Sequence, residues 1–309
     1  MKVLHSIGEL ASVPGPVSLA IGVFDGLHLG HQEVIGAAIQ HATQHGGTAA
    51  VLTFDPHPLH VLRPEQAPRL LCSTHHQIAI LDRLGVSHMA VCRFDKAFST
   101  TPAGDFVAQL AASCRPLGFI SVGYAWRFGA GGAGDIHLLM DAGQKLGFGV
   151  YGVPPVSVDG EIVSSTSIRE AVRLGDFEKA GRLLGRDYTV LGSVIKGRQL
   201  GRQIGVPTAN LDVQAEQLPP AGVYAVRALV DGVWHDGVAN LGHRPTVSEA
   251  GSDLSLEVHL FDFDRDIYGL EIEVCFVGHL REEKKFDGLD ALKAQIALDV
   301  TAARPLLSR

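Results

Sequence analysis

His28 and His31 stand three residues apart in Asp25-Gly26-Leu27-His28-Leu29-Gly30-His31, which follows a β-rich apolar stretch at 17–24 and precedes a helix-like stretch at 32–40. A strand that turns tightly into a helix start aims backbone amides at an anion, and Gly26 and Gly30 let the main chain come close to it. Two imidazoles at the same turn add donors to one phosphate chain. Such a corner suits nucleotidyl transfer, in which a phosphate oxygen attacks the α-phosphorus of ATP in line and pyrophosphate leaves. That reaction asks for positioning and for stabilisation of spread negative charge, so His28 and His31 serve as charge stabilisers rather than bases. Taken alone, H-x-G-H reads equally well as a pair of structural histidines.

Two further groups belong with that corner. The next strand ends in Thr53-Phe54-Asp55-Pro56-His57-Pro58 and brings His57 to the carboxyl edge, where open α/β sheets bind ligands. The alternative is a rigid Pro-bounded turn. Ser164, Ser165 and Thr166 open a helix with hydroxyl caps, and Arg169 follows one turn in as a clamp for the β and γ phosphates. An ordinary N-cap with a surface arginine has the same pattern.

A second chemistry is written further along. Gly197, Gly201 and Gly205 recur every four residues, with Arg202 among them, before Pro207-Thr208-Ala209-Asn210. This is not a Walker loop, but a glycine-bearing flap can lie over phosphates through its amides. The Thr208 hydroxyl and Asn210 carbonyl are the hard oxygens that Mg²⁺ prefers when it keeps most of its waters. A β-turn with an Asx cap would look alike. Phosphorylating an alcohol also needs an acceptor for the hydroxyl proton, and Glu257 is the candidate. In Leu256-Glu257-Val258-His259-Leu260, the polar residues Glu257 and His259 share one strand face, which could also simply be solvated.

These groups need elements to hold them. Strand-like runs at 17–24, 48–54, 88–94, 119–124 and 149–156 alternate with helical stretches such as 78–84, the pattern of an α/β layer built on a parallel sheet. After Asp187 the texture changes to strands at 188–195, 223–230, 256–261 and 271–277 separated by Gly, Asn and Pro turns, which reads as an antiparallel barrel. Leu289, Leu292, Ile296 and Val300 form a helical stripe over 289–307 that would pack against it. The boundary is expected at 186/187, after a helix at 177–184. The 309 residues suit two domains. A net charge of -7 and a pI near 6.1 give no general attraction to nucleic acid or anionic lipid. Cys72, Cys92, Cys114 and Cys275 form neither a disulfide framework nor a zinc knuckle. No signal-like N-terminus or membrane-length apolar run is seen, so the chain is expected in the cytoplasm with small-molecule partners only. The sequence does not fix an oligomeric state.

In order and spacing, Gly22-Val23-Phe24-Asp25-Gly26-Leu27-His28-Leu29-Gly30-His31 and the Ser164 to Arg169 run resemble the N-terminal module of the prokaryotic bifunctional riboflavin kinase/FMN adenylyltransferase family. Pro207-Thr208-Ala209-Asn210, Asn240-Leu241-Gly242-His243-Arg244-Pro245-Thr246, Asp266-Ile267-Tyr268-Gly269 and the 280–286 run resemble its riboflavin kinase module. The resemblance implies a Rossmann-like nucleotidyltransferase domain over 1–186, with Gly22, Phe24, Asp25, Gly26, Gly30 and the Ser164 to Arg169 motif at the nucleotide. For 187–309 it implies a six-stranded barrel with a terminal helix. There Thr208 and Asn210 would hold Mg·ATP, Glu257 would act as base for the ribityl terminal hydroxyl, and Arg281 would lie beside the flavin. Riboflavin and ATP would give FMN in the barrel, and FMN and ATP would give FAD in the first domain, both with Mg²⁺. One stretch departs from the family pattern. Gly123-Tyr124-Ala125-Trp126-Arg127-Phe128-Gly129 lacks two polar residues usual at 124 and 125, although Tyr124 and Trp126 can stack on a flat ring. A riboflavin kinase with a weakened adenylyltransferase is therefore one alternative, and a non-catalytic flavin or nucleotide sensor is another.

Overall fold

The inner strands of a parallel sheet are covered on both faces, and the run Val17-Ser18-Leu19-Ala20-Ile21 meets that demand with five buried residues in strand β2 (Val17–Ile21). Its one hydroxyl is satisfied, since Ser18 Oγ lies 2.9 Å from His41 Nδ1. The computed structural model describes residues 1–197, 201, 205–213, 216–243 and 254–308. The chain divides into two compact units, residues 1–69 with 74–165 and residues 70–73 with 166–309.

In the first unit β2 is joined by β1 (Lys2–Leu4), β3 (Thr48–Asp55), β4 (His88–Arg93), β5 (Leu117–Gly123) and β6 (Gly149–Val153). All pair in parallel, in the order β1-β4-β3-β2-β5-β6. The order reverses at β2, so the crevice beyond its carboxyl end is the switch point at which such sheets take ligands. Helices α1 (Leu29–His45), α2 (Pro58–Leu62), α3 (Thr74–Arg83), α4 (Ala103–Ser113) and α5 (Ile136–Leu146) fill the connections. The core is formed by Leu19, Ile21, Leu52, Phe106, Leu110, Ile120 and Val122. Two details differ from the sequence reading. Strand β2 ends at Ile21 rather than at 24, because residues 22–24 already belong to the turn, and the three-residue edge strand β1 is too short to show a period. A small hairpin, β7 (Ser157–Val158) and β8 (Glu161–Ile162), closes the unit's chain.

Helices α6 (Ser165–Arg173) and α7 (Phe177–Leu184) precede a closed barrel of β9 (Thr189–Ile195), β10 (Ala209–Val213), β11 (Gly222–Val230), β12 (Val233–His243), β13 (Leu254–Leu260) and β14 (Glu271–Arg281). All pairs are antiparallel, in the order β10-β13-β12-β11-β14-β9, and closure leaves no free edge. Leu256, Val258 and Leu260 point into the barrel core and alternate with Glu257 and His259 on the outer face. By compactness the division falls in the first turn of α6, earlier than the 186/187 boundary, so α6 and α7 group with the barrel. Residues 70–73 do too: Gln217 N–H donates to Leu70 O at 2.6 Å, and buried Glu216 accepts from the amides of Ser73 at 2.6 Å and Leu191 at 3.0 Å.

Helix α8 (Leu289–Leu307) spans the expected residues, but its stripe is used differently. Ala303, Leu307 and the partly buried Val300 and Leu306 pack on Ala225, Val238 and Phe261, while Leu289 is exposed and Leu292 and Ile296 line a cavity. Strands β10 and β12 are absent from the sequence reading. The first begins inside the Pro-Thr-Ala-Asn run that reads as a turn, and the second mixes glycine with polar residues and so hides its alternation. Arg202 and the Arg244-Pro245-Thr246 run lie outside the described residues.

Candidate active sites

The H-x-G-H spacing is the spacing of a helix N-cap to its third residue. His28 is the N-cap of α1, and its Nδ1 accepts the backbone N–H of His31 at 3.3 Å. An imidazole that accepts at Nδ1 carries its proton on Nε2, so the ring presents an N–H donor from its far side. A Cβ on Gly30 would press on the His28 ring at 3.2 to 3.3 Å, so glycine leaves that ring its place. The two imidazoles stack with centroids 3.6 Å apart and planes 17° apart, and the Phe24 ring meets His31 edge-on at 5.4 Å. Phe24 in turn fits over Gly22, where a Cβ would come within 3.1 Å of its ring.

The turn before the helix is wound in the left-handed region, with φ +82° at Gly26 and +46° at Leu27. Such a conformation is costly for leucine and is held by its surroundings. The Leu27 side chain is fully buried, its N–H donates to Phe24 O at 3.2 Å, and Gln32 Nε2 donates to its carbonyl at 2.8 Å. Asp25 is buried, and its carbonyl accepts the Ser165 hydroxyl at 2.9 Å. Ser164 precedes that helix, whereas Thr166 and Arg169 belong to the second compact unit. His57 sits at the carboxyl end of β3, the parallel neighbour of β2, and caps α2 by accepting the Leu59 N–H at Nδ1, 3.1 Å away.

The departing segment follows β5 on the same edge. Trp126 has one ring face covered by Phe128, with centroids 4.6 Å apart, and packs on the core, while Tyr124 is 55% exposed. Arg127 pairs with Asp135 at 3.1 Å. The Leu138 amide above all, then Arg127 and the His137 amide, hold the Asp135 carboxyl below the usual range against partial burial. Asp135 is thereby fixed as the N-cap of α5.

On the barrel, the strand register carries the site. Asn210 stands opposite Glu257, Glu257 opposite Asn240, Asn240 opposite Val223, and Val223 opposite Arg281, so the five form one row across five strands on one face. Two cavities open along it. One, of about 220 Å³, is lined by Thr208, Asn210, Phe263, Asp266, Ile267 and Tyr268 among others. The other, of about 260 Å³, is lined by Gly201, Thr208, Asn240, Glu257, His259, Arg281 and an apolar side that includes Phe286, Leu292 and Ile296. Thr208 borders both.

Two of the glycines before β10 lie against the same residues. A Cβ on Gly197 would sit 2.3 Å from Asn210 Nδ2, and one on Gly201 would sit 2.3 Å from Val206 O and 3.3 Å from Thr208 Oγ1. Gly205 has φ +76°, in the left-handed region that favours glycine. Nδ1 of His259 lies 2.8 Å from Pro207 O, next to Thr208 and just before β10. Among the described residues no group of three or more His, Cys, Asp or Glu could hold a metal. The Thr208 hydroxyl and Asn210 carbonyl are hard oxygens of the kind that Mg²⁺ takes together with water and phosphate.

Sequence reasoning overlooked Asn240 as a site residue, and it missed Leu292, Ile296 and Asp299 as cavity lining. The Asn240-Leu241-Gly242-His243 run is the available signal for the first. The helical stripe contained Leu292 and Ile296, and nothing in it marks that they face a cavity rather than the barrel.

Comparison with known proteins agrees on both halves. A family model described as FAD synthetase matches residues 11–167, and one described as riboflavin kinase matches residues 184–307. The bifunctional riboflavin kinase/FMN adenylyltransferase of Pseudomonas fluorescens is 39% identical over 93% of this chain and 91% of its own length. The enzyme of the same description from Escherichia coli K12 is 38% identical over 98% of this chain and 97% of its own. A crystal structure described as a macrolide-efflux protein from Streptococcus pneumoniae has a TM-score of 0.82 at 30% identity, covering 98% of this chain and 99% of that one.

Proposed function

The chain belongs to the bifunctional riboflavin kinase/FMN adenylyltransferase family, and from that premise we propose which of its residues run each of the two reactions. It phosphorylates riboflavin to FMN with ATP and adenylylates FMN to FAD with release of pyrophosphate. The first reaction is assigned to 187–309 and the second to 1–186. Transport, named for the Streptococcus pneumoniae protein, is not carried over: no helix among the described residues is long and apolar enough to cross a membrane. Four free cysteines support work in a reducing compartment, the cytoplasm.

In the kinase, the terminal ribityl hydroxyl attacks the γ-phosphorus of ATP, the bond to the β-phosphate oxygen breaks, and Glu257 takes the hydroxyl proton. The single observation that carries this is the row in which Glu257 stands between Asn210 and Asn240, with the two cavities meeting at Thr208. The cavity lined by Thr208, Asn210 and Tyr268 suits the nucleotide, and the one with Phe286, Leu292 and Ile296 suits the flavin rings. Thr208 and Asn210 would hold Mg²⁺, whose chemistry when bound is to neutralise charge on the ATP phosphates.

In the adenylyltransferase, an FMN phosphate oxygen attacks the α-phosphorus of ATP and pyrophosphate departs. His28 Nε2–H, His31 and the amides at the start of α1 stabilise the phosphate charge, the wound turn at Gly26 and Leu27 brings the main chain close, and His57, Ser164 and Ser165 complete the nucleotide site. No base is required, which agrees with a His28 whose Nδ1 is already engaged. The Tyr124 and Ala125 departures lie inside the matched span 11–167.

Incubation of purified protein with FMN, ATP and Mg²⁺ tests the adenylyltransferase assignment directly. One pyrophosphate per FAD at a turnover comparable to FMN formation is expected. Turnover lower by on the order of a thousandfold would make the first domain a weakened adenylyltransferase.

A further inference from the structure

The flavin-side cavity has a charged pair in its wall, Arg281 and Asp299, and only its arginine has an assigned role. Asp299, on α8, is 5% exposed and lines the cavity. Arg281, the last residue of β14, donates from Nε to Asp299 Oδ1 at 2.9 Å and from Nη2 to Oδ2 at 2.8 Å, a fork-on-fork contact. Gln295, one turn earlier on the helix, donates from Nε2 to the same Oδ1 at 2.9 Å. Nη1 of Arg281 donates to the carbonyl of Glu282 at 2.9 Å, and the guanidinium carbon lies 5.8 Å from the centre of the Phe286 ring.

All three guanidinium nitrogens are thus committed, so Arg281 has few donors left to act as a mobile ligand for a substrate. Apolar residues of the same volume would hold a helix to a strand at least as well as a buried ion pair. What they would not supply is a flat cation whose plane is fixed in two directions. That plane stands in the row that contains Glu257, three strands away.

We infer that Asp299 is a positioning residue for riboflavin. With Gln295 behind it, Asp299 holds the Arg281 guanidinium against Phe286 as a rigid wall for the flavin ring system, which makes the C-terminal helix part of the kinase site. The inference rests on reading this cavity as the riboflavin site.

The test is steady-state kinetics of both reactions in the full chain. Asp299→Asn keeps the shape but loses the charge. Its KM for riboflavin should rise about tenfold, with a smaller change in kcat and with FAD formation from supplied FMN unchanged. Arg281→Gln with Asp299→Asn should cost no more in KM than the worse single change, because the two act as one unit. Should Asp299→Asn fail to accumulate as folded protein, Gln295→Ala serves, with a KM rise of about threefold. An unchanged KM in the folded variant, or equal loss of both activities with KM unmoved, overturns the inference. Glu257→Gln run alongside separates the layers. If that variant still makes FMN, the reading of the cavity falls and takes Asp299 with it. If it is inactive while KM in the Asp299 variant is normal, only the role of Asp299 falls.

Discussion

A histidine N-cap two residues before a glycine explains why His28 and His31 need the spacing they have, and the four-letter motif was therefore readable before any fold was known. The same holds for Glu257, whose alternation with Leu256 and Val258 put it on a face with His259. Asp299 was not readable: an acidic residue on a helix has no period of its own, and it acquires meaning only when Arg281 arrives from a strand. The cysteines also become legible only through packing. Burial pushes the thiols of Cys92, Cys114 and Cys275 up to about 12, with Glu9 adding to the effect at Cys92 and Asp187 at Cys275. Unfolded thiols ionise near 9.0, so the stabilising effect of these buried thiols is complete below that pH and is lost as pH rises from 9.0 through 12. Below pH 9.0 the native protein should resist iodoacetamide at all three, and mass spectrometry should find them labelled only after denaturation. Labelling at the same rate in both states would show that they are not buried thiols.

At the scale of elements, Gly197 and β10 fit one another. The sequence showed glycines at intervals and a Pro-Thr-x-Asn turn, but not that the first glycine is spaced to leave room for the Asn210 carboxamide or that Ala209 starts a strand. Those facts depend on a long-range pairing of β10 with β9 and β13, which local propensity cannot report. Gly197→Ala should push Asn210 out of its row at a cost on the order of 1–3 kcal/mol and lower FMN formation, while FAD formation from supplied FMN stays near its original rate. Stability by denaturant titration and both rates check this. Equal FMN formation in the variant would mean that Asn210 does not need its present place.

For the whole molecule, the alternation of strands and helical stretches before 156 and the strand-and-turn texture after 187 made both fold classes legible. Strand order, the reversal at β2 and closure of the barrel were not, because each is set by contacts between residues far apart in the chain. The grouping of α6, α7 and residues 70–73 with the barrel was hidden for the same reason. Each unit holds the groups on which its proposed reaction rests, the wound turn before His28 in one and Glu257 between Asn210 and Asn240 in the other. The central claim is this division of labour, and one paired assay measures it: FMN formation from riboflavin and FAD formation from FMN, each with Mg·ATP, in His28→Ala and Glu257→Gln. The account predicts that His28→Ala lowers FAD formation by on the order of a hundredfold and spares FMN formation. It predicts that Glu257→Gln lowers FMN formation by on the order of 10²–10⁴-fold and spares FAD formation. Loss of both activities in either variant, with the fold intact, would contradict it.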